Sequence, residues 1–340
     1  MISRNDFEYK KIIIYVPANG DKLSFKNDNL VIRDFNNELK LQYSCYKIFA
    51  IYIVGGFTIT TGLLERFDKY NITLLAYTYG FKRYATILNG LEGNTELRRI
   101  QYTEKDQLGV VKSLVVNKIN SQIKTIKKKR EKDLDEIKKD KEVIEKLNEY
   151  LNKIYEVKEI SELMGYEGNA SRIYFKRVFN NIDWNGRKPR AKQDIANFLL
   201  DISYTLLFSF IEGLLDAYGF DLYVANLHQE FYKRKSLVCD LEEPFRPLMD
   251  YIVRKMFNLG MVKEEDFYYN GMSYSFSYKE KPSINYQQTI LEELLKYKDS
   301  IFVFIRNYYR WIKNPNRIEK SIKLKEWDIN DINFLWYIWW

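Results

Sequence analysis

The chain holds one histidine, His228. It follows Gly219-Phe-Asp-Leu-Tyr-Val-Ala-Asn-Leu and precedes Lys233, Arg234 and Lys235. A lone imidazole is more often structural than a ligand. Its neighbours shift that balance. Asp240, Glu242 and Glu243 fall within four positions directly after an apolar run, ahead of Pro244-Phe-Arg246-Pro247. Burying three acids so close together is costly unless a metal or a group of Arg and Lys neutralises them.

A second segment with chemical potential is Leu163-Met-Gly-Tyr-Glu167-Gly-Asn-Ala-Ser171-Arg-Ile-Tyr174-Phe. Gly165 and Gly168 bracket Glu167, and small neighbours let a backbone, metal or phosphate come close. Ala170, Ser171 and Tyr174 follow at helical spacing, so Glu167 is expected near a helix start. Its bland role there is to favour the helix dipole, worth roughly a few tenths of a kcal/mol.

These segments need elements to position them. Short β-rich runs fill the N-terminal part: Lys11–Val16, Leu23–Phe25, Leu30–Ile32, Ile48–Ile53, Thr58–Thr60, Ile72–Tyr77 and Tyr84–Ile87. Turn signals separate them, including Asn19-Gly20, Asn27-Asp28-Asn29, Gly55-Gly56 and Tyr79-Gly80. Thr61–Tyr70 reads as a short helix among them. From about Asn94 onward the pattern is helical. Ile137, Ile144 and Leu151 recur every seventh residue, with Leu147 and Ile154 as a second row, which marks one apolar stripe on a helix or helical hairpin. Further helices are expected over Asp194–Tyr218 with Gly219 as its cap, over Pro247–Leu259 stopped by Gly260, and over Gln287–Trp311. The expected fold is α+β and multidomain: a small N-terminal β domain over residues 1–90, then a larger all-α domain over residues 91–340.

The formal net charge is +8, with a pI near 9.0. A Lys-rich composition from an AT-rich genome accounts for this. So does a polyanionic partner whose phosphates Lys and Arg neutralise. The run Lys124, Lys127, Lys128, Lys129, Arg130 is open in the same way, between a solvated helix face and a phosphate-contacting arm. Cys45 and Cys239 make neither a disulfide framework nor a Cys-rich zinc site. The N-terminus lacks the apolar stretch of a signal peptide. The apolar run Ile202–Ile211, bounded by Asp201 and Glu212, is shorter than the roughly 20 residues of a membrane span. A soluble, cytoplasmic protein with no membrane partner is expected. The aromatic C-terminus, Asn333 to Trp340, suits docking on the protein itself or a partner, or stacking on bases.

Taken together, the two chemical segments resemble the CRISPR-associated integrase family Cas one (Cas1). Its glutamate motif, Leu-Met-Gly-x-Glu-Gly-x-Ala-x-x-x-Tyr-Phe, is matched at every fixed position by Leu163 to Phe175. Its second block is a His, a small basic loop and Asp-Leu-x-Glu-x-Phe-Arg-Pro, matched by His228 and Asp240 to Pro247. Weaker similarity covers the N-terminal β region, Lys118-Ile-Asn120-Ser-Gln122, and a helix over Pro189 to Tyr204. The resemblance implies that Glu167, His228 and Glu243 ligate one divalent ion. Adjacent acids are common before Phe-Arg-Pro in the family; here they are Glu242 and Glu243 with Pro244 behind them, so Glu242 is the alternative ligand. Asp201 stands where the family commonly has a small polar residue. Asp240 is expected to support the site as an auxiliary acid.

Two carboxylates and an imidazole without a thiolate suit Mg²⁺ or Mn²⁺ better than zinc. The implied function is that of a metal-dependent DNA endonuclease/integrase of CRISPR adaptation. It would insert short foreign fragments into the repeat array by 3′-hydroxyl attack on a phosphodiester. Lys233, Arg234 and Lys235 are expected to contact phosphate. Arg246 either does the same or pins the acids. The implied partners are double-stranded DNA (prespacer and repeat), a second copy forming a homodimer partly through the β domain, and the small Cas two (Cas2) protein in a heterohexamer. The rival readings are a non-catalytic DNA-clamping scaffold and a metal-dependent nuclease outside CRISPR adaptation.

Overall fold

The computed structural model describes residues 10–17, 20–88, 94–103, 107–129, 133–184, 186–229, 231–277 and 282–313. Asn19, Arg130 and the aromatic C-terminus lie outside them. The described residues form two compact units. One comprises those up to Ile100 together with Glu212–Asp221, and the other Gln101–Ile211 with Leu222 onward.

The first unit is strand-rich. β1 (Lys11–Tyr15), β5 (Ile48–Val54), β6 (Thr73–Tyr77) and β7 (Arg83–Leu88) form one sheet in the order β1-β5-β6-β7. β1 and β6 both run parallel to β5, while β7 is antiparallel to β6. Every residue of β5 and β6 is buried, which is why they read as continuous apolar runs rather than alternating ones. The parallel step from β5 to β6 needs a crossover, and α1 (Thr61–Lys69) provides it. β2 (Lys22–Lys26), β3 (Asn29–Arg33) and β4 (Leu39–Ser44) make an antiparallel meander. Asn27 and Asp28 turn β2 into β3 with φ of 48° and 58°, the left-handed pair a two-residue hairpin requires. Two expectations fail here. β4 is not among the expected strands: Leu39-Lys-Leu-Gln-Tyr-Ser alternates apolar and polar residues as a half-buried strand does, but it holds no β-branched residue. Thr58–Thr60 is not a strand but the approach to α1, with Thr60 at its N-cap.

The second unit is helical apart from one short hairpin. α2 (Thr95–Thr103) leads in from the first unit. α3 (Gln107–Lys127) is central: it packs against α4 (Leu134–Glu156), α5 (Ile160–Val178) and α8 (Arg246–Asn258). On α4 the buried apolar residues are Leu147, Leu151 and Ile154, while Ile137 and Ile144 stay partly exposed. α6 (Ile195–Ala217) starts later than Pro189, with the Asp194 carboxylate accepting from the Asn197 amide at 2.6 Å. Its last residues, from Glu212, belong to the first unit. α7 (Ser236–Glu242) and a 3-10 turn at Glu243–Phe245 run straight into α8. β8 (Phe267–Tyr269) and β9 (Tyr274–Phe276) form the hairpin. The single helix expected over Gln287–Trp311 is two, α9 (Tyr286–Leu295) and α10 (Lys298–Lys313).

The apolar run at Ile202–Ile211 also proves part of a longer element. α6 is 23 residues, long and apolar enough to cross a membrane, and 72% of its most apolar stretch is buried inside the protein. Core packing accounts for that apolarity.

Candidate active site

Glu167 lies in the middle of α5, not near a helix start. Leu163, Ala170, Tyr174 and Val178 recur at helical spacing and are buried, and they carry that face of α5 into the core. Glu167 shares the stripe one turn after Leu163, with 24% of its side chain exposed. A Cβ built on Gly165 or on Gly168 would meet nothing within 4 Å. The two glycines therefore bare the surface on either side of Glu167 rather than admit a neighbouring backbone.

α3 faces this carboxylate with Lys118 and, one turn later, Gln122. The Lys118 ammonium donates to Glu167 Oε1. Gln122 donates to Ser171 Oγ at 3.3 Å, and Ser171 donates to Glu167 Oε1 at 3.0 Å. Lys118 also lies 2.6 Å from Glu243 Oε2 in the 3-10 turn. One ammonium thus bridges two carboxylates that are far apart in sequence. Arg246 approaches from the other side, 2.6 Å from Glu242 and 3.1 Å from Glu243. Burial alone would push the Glu243 carboxyl upward, but Lys118 and Arg246 outweigh it and hold the group down at about 2. Glu242 goes the other way: burial raises it, against Arg246. Its second oxygen has no hydrogen-bond partner among the described residues.

His228 sits on the loop before α7, and Asp240 organises that loop. The fully buried Asp240 carboxylate accepts from the amides of Asn226, Leu227 and His228 at 2.6, 2.9 and 2.9 Å. His228 Nδ1 lies 2.8 Å from the same group. A neutral ring that donates Nδ1–H to Asp240 keeps Nε2 free of a proton.

Beneath the acids lies a layer that the sequence did not single out. Tyr204 is flanked by two guanidiniums, Arg187 at 5.1 Å and Arg246 at 5.3 Å from its ring centre. Its hydroxyl and that of Tyr174 both donate to Asp250. Burial raises the Asp250 carboxyl to about 6, against those two hydrogen bonds. Asp201 is not among the acids: it pairs with Arg187 at 2.7 Å. No periodicity could flag Asp250 or Tyr204, because their roles come from contacts between helices.

The basic loop is largely at the surface. Lys233 and Arg234 are exposed, and Lys235 is half-buried at the start of α7. Phe231 and Tyr232 beside them are also exposed, and Lys233 lies over the Tyr232 ring at 5.2 Å. In the other basic run, Lys129 is tied to Asp140 at 3.1 Å and to Asn180 at 2.8 Å. Lys128 lies over the Tyr251 ring.

Among the described residues, no three His, Cys, Asp or Glu side chains converge closely enough to hold a metal as they stand. The place between Glu167 and Glu243 is nevertheless a cation position, since an ammonium fills it. Two carboxylates turned toward one point are the oxygen donors a hard divalent ion takes.

Residues 14–285 match the family model described as CRISPR associated protein Cas1. The chain belongs to the Cas1 family. It is 35% identical over 233 residues to the CRISPR-associated endonuclease Cas1 1 of Thermodesulfovibrio yellowstonii, covering 64% of this chain and 71% of that one. It is 22% identical over 291 residues to a Cas1 endonuclease of Methanospirillum hungatei, covering 84% and 80%. Its fold is similar to a chain of a partial Cas6-RT-Cas1–Cas2 complex, with a TM-score of 0.74 at 17% identity over 92% of this chain and 98% of that one. It is also similar to a casposase bound to integration product, with a TM-score of 0.65 at 20% identity over 95% and 96%. A strand-rich first unit followed by a helical one is therefore the Cas1 arrangement, shared also with a Cas1 protein of Thermotoga maritima at a TM-score of 0.64, 17% identity and 92% and 100% coverage.

Proposed function

We propose that this Cas1 chain is a metal-dependent DNA endonuclease/integrase that joins the 3′-hydroxyl of a short DNA fragment to a phosphodiester in a repeat array. The observation that carries this reading is the convergence of Glu167 and Glu243 on one cation position. Relatives named as endonucleases support it. The Glu167, Glu243 and His228 side chains would hold Mg²⁺ or Mn²⁺. Such an ion supplies polarisation of the phosphodiester and charge stabilisation in the transition state.

The chain's own residues do the rest. Asp240 holds the imidazole in the tautomer that leaves Nε2 unprotonated. Lys118 and Arg246 keep Glu243 ionised in a buried place. Lys233, Arg234 and Lys235 bind backbone phosphates and so set the DNA register. A homodimer and a Cas2-type partner complete the reading, and the structural relatives named as Cas1–Cas2 complexes support the latter. One observation favours a non-catalytic DNA clamp instead: Lys118 already neutralises the two acids, as a purely structural cluster would require.

Joining of a short 3′-hydroxyl duplex to a repeat-bearing supercoiled plasmid separates the two. Mn²⁺- or Mg²⁺-dependent covalent joining, abolished by EDTA and by His228→Ala, is the expected result. DNA binding without joining under either metal, equal in wild type and variant, would leave the clamp.

A further inference from the structure

We propose that Lys118 is a built-in competitor for the metal: its ammonium fills the cation position between Glu167 and Glu243, and a divalent ion enters only as Lys118 leaves. The inference rests on the metal-dependent reading above and concerns how that site is loaded.

The geometry carries it. Lys118 pairs with Glu167 Oε1 and with Glu243 Oε2, so it touches two of the three proposed ligands at once. Only 11% of its side chain is exposed, so this is not a loose surface pair. Gln122 and Ser171 brace the Glu167 carboxylate while it accepts from the ammonium. On the Glu243 side the second oxygen is taken by Arg246 at 3.1 Å. Both carboxylates are thus oriented toward one point by groups other than the ligand. Two carboxylates facing one another in a partly buried place repel unless a cation lies between them. The lysine supplies that cation in the metal-free protein.

A lysine is suited to this because its charge is compact and sits on a flexible four-carbon stem that can withdraw without moving the helix. A site whose competent form is only a fraction of the population binds its ligand more weakly by that fraction. Lys118 therefore lowers the apparent metal affinity while keeping the metal-free fold intact. Removing the ammonium has two opposite effects. The metal-free protein loses stability, because half-buried Glu167 and buried Glu243 lose the cation between them. Metal binding becomes tighter, because nothing has to leave.

The test is Mn²⁺ titration of the DNA-free protein, followed by calorimetry and by the electron paramagnetic resonance of free Mn²⁺. Parallel melts are run in EDTA and in Mn²⁺. Lys118→Met is expected to bind Mn²⁺ at least about tenfold more tightly than wild type. It should melt lower than wild type in EDTA and gain more from Mn²⁺. Lys118→Arg keeps the charge and is expected to stay near wild type in affinity. If Lys118→Met fails to fold without metal, Lys118→Gln replaces it, with the same expectation. Unchanged or weaker Mn²⁺ binding in the neutral variants, while Glu167→Gln still abolishes wild-type binding, would overturn the competitor role alone. Absence of any Glu167-dependent Mn²⁺ binding in wild type and variants would remove the metal reading and this inference with it.

Discussion

Asp240 touches neither proposed substrate nor the cation position, yet it controls the only imidazole in the chain. It accepts three consecutive backbone amides, and His228 Nδ1 lies 2.8 Å away. An asparagine cannot repeat this, because its amide nitrogen would face N–H donors. Asp240→Asn is expected to slow joining by about 10–100-fold, the usual effect of losing the partner that orients a ligating histidine. Joining rates measure the loss. Imidazole resonances, unambiguous with a single histidine, report whether the ring changes tautomer. Asp250 makes a different prediction. Burial raises its carboxyl from 3.8 to about 6 in the folded chain. The folded state therefore holds that proton more tightly than the unfolded chain. Its stabilising contribution is complete below pH 3.8 and is lost as pH rises through about 6. Relative to wild type, Asp250→Asn should gain up to about 3 kcal/mol between those limits, read from denaturant unfolding at a series of pH values. At this scale, the motif spacing in the sequence names Glu167, His228, Asp240 and Glu243. The place of Lys118 between two acids, and the Tyr204–Asp250 layer, are legible only once α3, α5, α6 and α8 have packed.

Glycines explain where the reading of elements succeeded and failed. Gly165 and Gly168 read as small neighbours that admit a close approach, and the spacing of Ala170, Ser171 and Tyr174 puts Glu167 near a helix start. Each glycine costs a helix interior about 1 kcal/mol relative to alanine, but the buried row Leu163, Ala170, Tyr174 and Val178 carries α5 through both. Nothing lies near a Cβ at either position. Gly165→Ala and Gly168→Ala should therefore each stabilise the protein by about 0.5–1 kcal/mol, seen as a higher melting temperature. Gly213 on α6 is the opposite case. In the first unit, a Cβ there would stand 2.6 Å from the Tyr52 hydroxyl and 2.7 Å from that of Tyr77. Gly213→Ala should destabilise by about 1–3 kcal/mol through overpacking against two buried rings, and a rise in melting temperature would refute that packing. Strongly apolar strands and capped helices such as β5, β6 and α6 were legible because period and punctuation agreed. β4 was not, because its six residues alternate but include no β-branched side chain. The break at Lys296 between α9 and α10 was not, since no Pro or Gly marks it.

On the scale of the whole molecule, the net charge of +8 is ambiguous until its placement is known. Part of the basic content is spent internally: Lys118, Lys129, Arg177, Arg187 and Arg246 all pair with buried or half-buried acids. Those cations cannot be counted toward a polyanion without breaking a pair. Lys233 and Arg234 are exposed on one loop with Lys235 behind them, beside exposed Phe231 and Tyr232. If that loop contacts backbone phosphate, each neutralised phosphate contributes about 0.9 to the slope of log affinity against log salt on duplex DNA. Replacing Lys233, Arg234 and Lys235 together by glutamine should then lower the slope by about 2–3. The loss should be similar on unrelated duplexes, because phosphate contacts carry no sequence information. Titrations in EDTA over a range of NaCl concentrations keep the metal out of the comparison. An unchanged slope would mean that DNA meets a different face, and that the loop's charge serves the protein rather than the duplex.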